Sequence, residues 1–210
     1  QENRKEKYNT GFKIGIGCLV VSLVLFLLYL REAYRFQGNY FGTMIRMIVI
    51  SGIFLLGEMV LERCYLEKLE ERRKRKKAVL AVLFIYYAVM LMNLTFLERT
   101  QTVTDYNIVP FRTIGTVLLS GNVYAIVINI FGNFFIFMPL QFFLIELFEI
   151  RKIKQNFLVC FTITFVIEIV QYIFKVGMLD VDDILLCVAG MMSFYYFYGK
   201  YRGKNKKRGM

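Results

Sequence analysis

The chain has 210 residues, of which 57% are hydrophobic and 20% charged, and its mean hydropathy is +0.50. Soluble domains do not have that balance. The net charge of +11 comes with no histidine at all, which excludes His-based zinc sites, His-ligated haem and any nucleophile that takes imidazole as its base.

The apolar residues are gathered into runs near twenty residues, the length an α-helix needs to cross about 30 Å of hydrocarbon. In chain order they predict spans at residues 12–30, 43–61, 78–97, 123–150, 156–174 and 183–198. The first run is too long for a signal peptide, lacks a small-residue cleavage site and is followed by a charged segment from Arg31 to Arg35, so it reads as a true span. Opening on Gln1 rather than Met suggests that the chain is trimmed or processed. Between spans two and three the block from Glu62 to Lys77 is expected to carry a helix beyond the bilayer, with Glu70 facing Lys74 and Glu71 facing Arg75 at i,i+4 spacing.

Lys and Arg decide the orientation, because positive residues are retained on the cytoplasmic side. With the N-terminus inside, 21 of the 27 basic residues fall at the N-terminal end, between spans two and three, between spans four and five and after span six. The other six are Arg31, Arg35, Arg46, Arg99, Arg112 and Lys175. The expected fold is therefore an all-α polytopic transmembrane helical bundle of about six spans, N-in and C-in, with a short interfacial helix between spans three and four. Its parts are residues 1–98 with spans one to three and the basic connector, 99–199 with spans four to six, and a basic cytoplasmic tail at 200–210. Topology and anionic lipid account for the positive charge, and nucleic acid is not expected as a partner.

Four cysteines, Cys18, Cys64, Cys160 and Cys187, fall singly in or beside four different elements, and free thiols are expected. The segment 98–122 is the longest connection outside the basic block. In it Pro110 stands where a helix starts, apolar residues run to Leu119, and Ser120-Gly-Asn122 supplies a stop. An amphipathic interfacial helix is expected there, with a re-entrant segment flooring a cavity as the alternative.

Polar side chains within spans carry the remaining signal, because an Asp, Lys or Arg at a helix centre costs roughly 2.5–3.5 kcal/mol to insert. On span four Asn129 lies about 9 Å from the outer boundary and Asn133 about 15 Å, at 1.5 Å per residue. Their i,i+4 spacing places them on one face. On span five Glu168 lies about 9 to 10 Å below the outer end, with Gln171 and Tyr172 on its face. Asp180, Asp182 and Asp183 introduce span six, so acids and amides gather in the outer half of the membrane, where Asn93 and Arg112 stand near enough to join them. Glu58, Glu146 and Glu149 sit at inner helix ends within reach of Arg151 or Lys152. Pro139 and Gly132 are expected to kink or pack span four.

Four stretches taken in order resemble the VanZ-like membrane proteins, a family named for an accessory protein of glycopeptide-antibiotic resistance clusters. They are Asn107-Ile-Val-Pro-Phe111, Asn129-Ile-Phe-Gly-Asn-Phe-Phe-Ile-Phe-Met-Pro-Leu140, Glu168-Ile-Val-Gln171 and Asp180-Val-Asp-Asp-Ile-Leu-Leu-Cys-Val-Ala-Gly190, within residues 107–198. This chain departs from the family in carrying Cys187 where members usually have Asn, and in lacking the Arg often found in the position of residues 176–179.

The resemblance implies a multi-pass protein of the cell membrane in a Gram-positive envelope, with tolerance to teicoplanin known for the namesake. Two functions follow as expectations. The first is binding, or altered presentation, of an outer-leaflet amphiphile: a membrane lipid, a lipid-linked wall precursor or a lipoglycopeptide antibiotic, with Asn107, Arg112, Asn129, Asn133, Gln171 and Asp180 as binding residues. Teicoplanin differs from vancomycin chiefly in its acyl chain, so capture in the membrane selects the lipidated drug. The second is an intramembrane enzyme on a lipid-linked substrate, with Glu168, Asp182 and Asp183 as acid, base or oxygen ligands for a divalent ion. The sequence leaves any cofactor open and points to no dedicated metal site. Beside both stands a purely structural use, in which Asn129, Asn133, Glu168 and Gln171 join helices by hydrogen bonds.

Overall fold

The computed structural model describes the backbone of residues 2–32, 40–64, 69–97 and 105–208, and the side chains of 10–32, 40–62, 71–97 and 105–202. Six of its helical segments are long and apolar enough to cross a membrane: Thr10–Glu32, Tyr40–Glu62, Glu71–Leu97, Val123–Glu146, Ile153–Ile173 and Val181–Arg202. All six expected spans are present, and the fold is an all-α membrane bundle. The chain divides into two compact units, Gln1–Thr100 and Gln101–Met210.

The first unit holds α1 (Glu2–Glu32), α2 (Tyr40–Cys64) and α3 (Leu69–Met92), the last running into a π-turn at Asn93–Leu97. Its core packs Phe26, Tyr29, Met47, Ile50, Phe54 and Tyr86, with the Phe26 and Tyr86 rings 4.5 Å apart. The helices α1 and α2 come close where two glycines face each other. A Cβ on Gly57 meets the Gly15 carbonyl and the Cys18 Cβ at 3.0 Å each, the small-residue contact by which membrane helices gain packing. Hydrogen bonds finish the unit: Ser22 donates to the Ile50 carbonyl at 3.0 Å, and the Asn93 amide donates to the Tyr29 hydroxyl at 2.7 Å. Asn93, expected with the outer polar group, finds its partner inside this unit.

The basic block pairs differently from expectation. Arg72 bridges to Glu62 at 2.7 Å and Arg75 to Glu58 at 3.0 Å, from α3 across to α2. Antiparallel neighbours bring these charges together, so Glu58 is met by Arg75 rather than by Arg151 or Lys152. Residues 65–68, and the side chain of Glu70, lie outside the described residues.

The second unit begins with a two-residue strand β1 (Tyr106–Asn107) and α4 (Arg112–Leu119), the short helix expected before span four. Span four is broken into α5 (Val123–Ile126), a π-segment (Val127–Gly132), α6 (Asn133–Ile136) and α7 (Met138–Glu146). The last break falls at Phe137, with Pro139 in the first turn of α7, since proline has no N–H to continue the ladder. The helix stops at Glu146 rather than near residue 150, where Glu149 takes a left-handed φ of 59°. Then come α8 (Ile153–Ile173), strand β2 (Leu179–Asp180) and α9 (Val181–Arg208). Glu146 accepts from Tyr198 at 3.0 Å and pairs with Arg202 at 2.6 Å. Its cation therefore comes from α9, not from Arg151 or Lys152.

Every buried residue of α8 is polar or a thiol: Asn156, Cys160, Thr164, Glu168 and Gln171. Their spacing of four, four, four and three keeps them on one face, while Phe157, Phe161 and Phe165 stack along an exposed one. This is the inverse of a soluble amphipathic helix, as lipid demands. α9 lies tight against α6, because a Cβ on Gly190 runs into the Phe134 carbonyl. Gly190→Ala is expected to destabilise the unit by about 1–3 kcal/mol, since backbone must shift, while Gly199→Ala, with open space around its Cβ, is neutral. Denaturation midpoints of the two variants in detergent check the contrast.

Candidate functional site

Where α8 ends and α9 begins, the chain makes a two-residue strand pairing. Tyr106 stands opposite Leu179 and Asn107 opposite Asp180 in parallel register. Short as it is, this pairing fixes the segment before α4 against the segment before α9, 73 residues apart in sequence. The Asn107 amide donates to the Asp180 carboxylate at 2.9 Å and to the Thr113 hydroxyl at 3.0 Å, and its carbonyl accepts from the Val109 N–H at 3.1 Å. The same Asp180 oxygen accepts the backbone N–H of Asp182 at 2.9 Å. Glu168 reaches the cluster from α8, accepting the Asp180 N–H at 3.2 Å.

Asp182 is fully buried and spends both oxygens on α4. One accepts the Phe111 N–H, and the other accepts those of Thr113 at 2.8 Å and Ile114 at 3.1 Å. The reason lies in the local sequence. Phe111, the N-cap residue just before α4, has φ 64° and no side-chain acceptor to cap the helix, so the orphan N–H groups of the first turn are met from α9. Asp182 and Asp183 also lie in the first turn of α9 itself. Two helix N-termini, each carrying roughly half a positive charge, thus face these acids, and neither Asp180 nor Asp182 pairs with a Lys or Arg among the described residues.

Asp183 points to a different neighbour. The Asn133 amide of α6 donates to its carboxylate, and both residues are half-buried, whereas Asn107, Glu168, Gln171, Asp180 and Asp182 are at most 5% exposed. Asn129 does not share this site. It is exposed and donates to the Ala125 carbonyl of its own helix at 2.9 Å. Asn129 lies within the π-segment and Asn133 directly after it, yet of the two it is Asn133 that finds its partner on another helix. Tyr172 is likewise exposed while Gln171 is buried. Arg112 opens α4 as an exposed residue, and its guanidinium meets no partner among the described residues.

A second polar cluster escaped the sequence reading. Towards the other end of the spans Gln141 of α7 donates to Asn156 of α8 at 2.6 Å and accepts from the Cys160 thiol at 3.0 Å, all three completely buried. Gln141 stood unremarked inside an apolar run and Asn156 at a span edge. Among the described residues Cys18, Cys160 and Cys187 form no disulfide, as expected. No three acidic or cysteine side chains among them converge as metal ligands.

Residues 84–201, more than half of the chain, match the family model described as VanZ/LLP1. The chain belongs to the VanZ/LLP1 family. No curated protein and no solved structure matches it. All four stretches that carry the resemblance lie within the matched range, which begins earlier, in span three. In this VanZ-family protein the stretches at 107–111, 168–171 and 180–190 meet at the strand pair, and the stretch at 129–140 supplies Asn133 and the Phe134 carbonyl. Cys187, standing where family members usually carry Asn, is buried on α9 one turn beyond Asp183.

Asn107→Ala is expected to destabilise this unit by about 1.5–3 kcal/mol, because a buried carboxylate loses a donor. Thr113→Val, which removes a neutral partner only, costs less. Comparing the denaturation midpoints of the purified variants measures the difference.

Proposed function

We propose that this multi-pass VanZ-family protein acts in the cell membrane of a Gram-positive bacterium, binding the headgroup of an outer-leaflet amphiphile and so raising tolerance to glycopeptides, teicoplanin above vancomycin. The observation that carries the reading is the Asn133–Asp183 pair. It is the half-buried member of an otherwise buried polar cluster, and an acid beside an amide suits the hydroxyl, amide and ammonium donors of such a headgroup. The buried residues behind it, Asn107, Glu168, Gln171, Asp180 and Asp182, hold that end of the unit together.

The alternative, an intramembrane enzyme using Glu168, Asp182 and Asp183 as acid, base or metal ligands, has less support. Asp182 already gives both oxygens to backbone N–H groups, and no metal-ligating trio converges among the described residues. Turnover of a lipid by the purified protein would reverse that preference.

The basic-residue distribution supports an orientation with both termini inside and the β1–β2 end outside. A fluorescent-protein fusion at the C-terminus is then expected to fluoresce, and a Leu119→Cys variant to react with an impermeant thiol reagent on whole cells. Protection of that thiol until the cells are broken would invert the topology.

Teicoplanin and vancomycin susceptibility of expressing cells tests the function, with membrane levels matched by blotting. Wild type is expected to raise teicoplanin tolerance selectively, and both Asp183→Asn and Asn133→Ala to lose it. Tolerance that survives both substitutions would remove the pair from the ligand's path.

A further inference from the structure

We propose that α4 is a hinged lid, latched by Asp182, whose release uncovers the buried carboxylates of Glu168 and Asp180. The first observation is what holds α4 in place. None of its eight residues is buried, and Leu119 at its end is 90% exposed. Packing of α4 side chains against the unit therefore contributes little, and in a bilayer its apolar residues rest in lipid whether α4 is docked or swung away.

The second observation is that the docking bonds converge on one side chain. Three donors of one turn, the N–H groups of Phe111, Thr113 and Ile114, all end on Asp182. They form together and are lost together, which makes the docked position two-state rather than gradual. Among the described residues a further hydrogen bond to α4 is that from the Asn107 amide to the Thr113 hydroxyl, a neutral bond at 3.0 Å.

The third is the pair of pivots. Phe111 and Gly121 bracket α4, each with φ 64°, and Gly121 has no heavy atom within 4 Å of the place its Cβ would take. Rotation about these two points moves α4 without dragging β1, which stays paired to β2, or α5, whose first turn is capped separately by Asn122 accepting from Ala125.

What the lid covers gives the motion its consequence. Asp182 is completely shielded beneath the first turn of α4, and Asp180 and Glu168 lie directly behind it through the Asp182 N–H and the Asp180 N–H. Open, the unit presents these carboxylates beside the half-buried Asn133–Asp183 pair; closed, it presents that pair alone. The proposal concerns the fold of this unit, so a chain that conferred no drug tolerance would leave it standing.

Hydrogen exchange of the full chain in lipid nanodiscs, combined with labelling by a membrane-permeant carbodiimide, tests it. In the wild type the amides of Phe111, Thr113 and Ile114, which Asp182 holds, are expected to exchange faster than those of α8. Asp182→Asn should raise their exchange by at least about tenfold, the loss of one charge-assisted bond, leave α8 and α9 unchanged, and increase carbodiimide modification of Glu168 or Asp180. Leu119→Ala should leave exchange and labelling as in the wild type. The proposal is overturned if α4 exchanges together with α8, if Asp182→Asn loosens α8 and α9 as well, if labelling does not rise with α4 exchange, or if Leu119→Ala releases α4.

Discussion

Two carboxylates buried in a membrane protein, with no cation beside them among the described residues, have to be satisfied by dipoles, and Asp180 and Asp182 are satisfied by little else. An ionised group moved out of water without compensation costs many kcal/mol. Here the compensation is a set of N–H donors from the amide of Asn107 and from the first turns of α4 and α9. That requirement dictates the local architecture. It ties residues 105–114 to 179–183, draws Glu168 of α8 towards β2, and gives α4 a cap that its own sequence lacks.

Around this constraint the spans divide into surfaces with different uses. The polar stripe of α8 from Asn156 to Gln171 faces the interior, and its stacked phenylalanines face outward. At one end the stripe closes on Gln141 as a sealed hydrogen-bonded cluster; at the other it opens into the acids of β2 and α9. On span four Asn133 donates to Asp183 while Asn129 is exposed and bonds within its own helix, so one of the two amides belongs to the site. Gly190 completes the arrangement by letting α9 approach the α6 backbone closely enough for that bond.

Much of this was legible in the sequence, and the reasons for success and failure are physical. The six spans are written in twenty-residue apolar runs, because lipid admits little else. α4 is written in Pro110 and the Ser-Gly-Asn stop, and Glu168, Gln171, Asp180 and Asp182 announced themselves by the cost of polar groups in a span. What failed depended on partners remote in sequence. Spacing set Asn129 and Asn133 together, but not which of them Asp183 of α9 would meet. Local pairing of charges missed Glu58 with Arg75 and Glu146 with Arg202, which neighbouring helices bring together. Gln141 was invisible because a single amide in an apolar run has no meaning until Asn156 and Cys160 are set opposite it.

The proposed division of labour has Asp180 hold the end of the unit together and Asp183 meet the ligand. The most direct measurement is a paired one on reconstituted wild type, Asp180→Asn and Asp183→Asn: unfolding midpoint alongside affinity for a lipoglycopeptide probe in vesicles. The account predicts a lowered midpoint for Asp180→Asn, and for Asp183→Asn a near-normal midpoint with binding weakened by about tenfold or more, the worth of one charge-assisted hydrogen bond. Equal binding by Asp183→Asn and wild type, or an unchanged midpoint for Asp180→Asn, would contradict it.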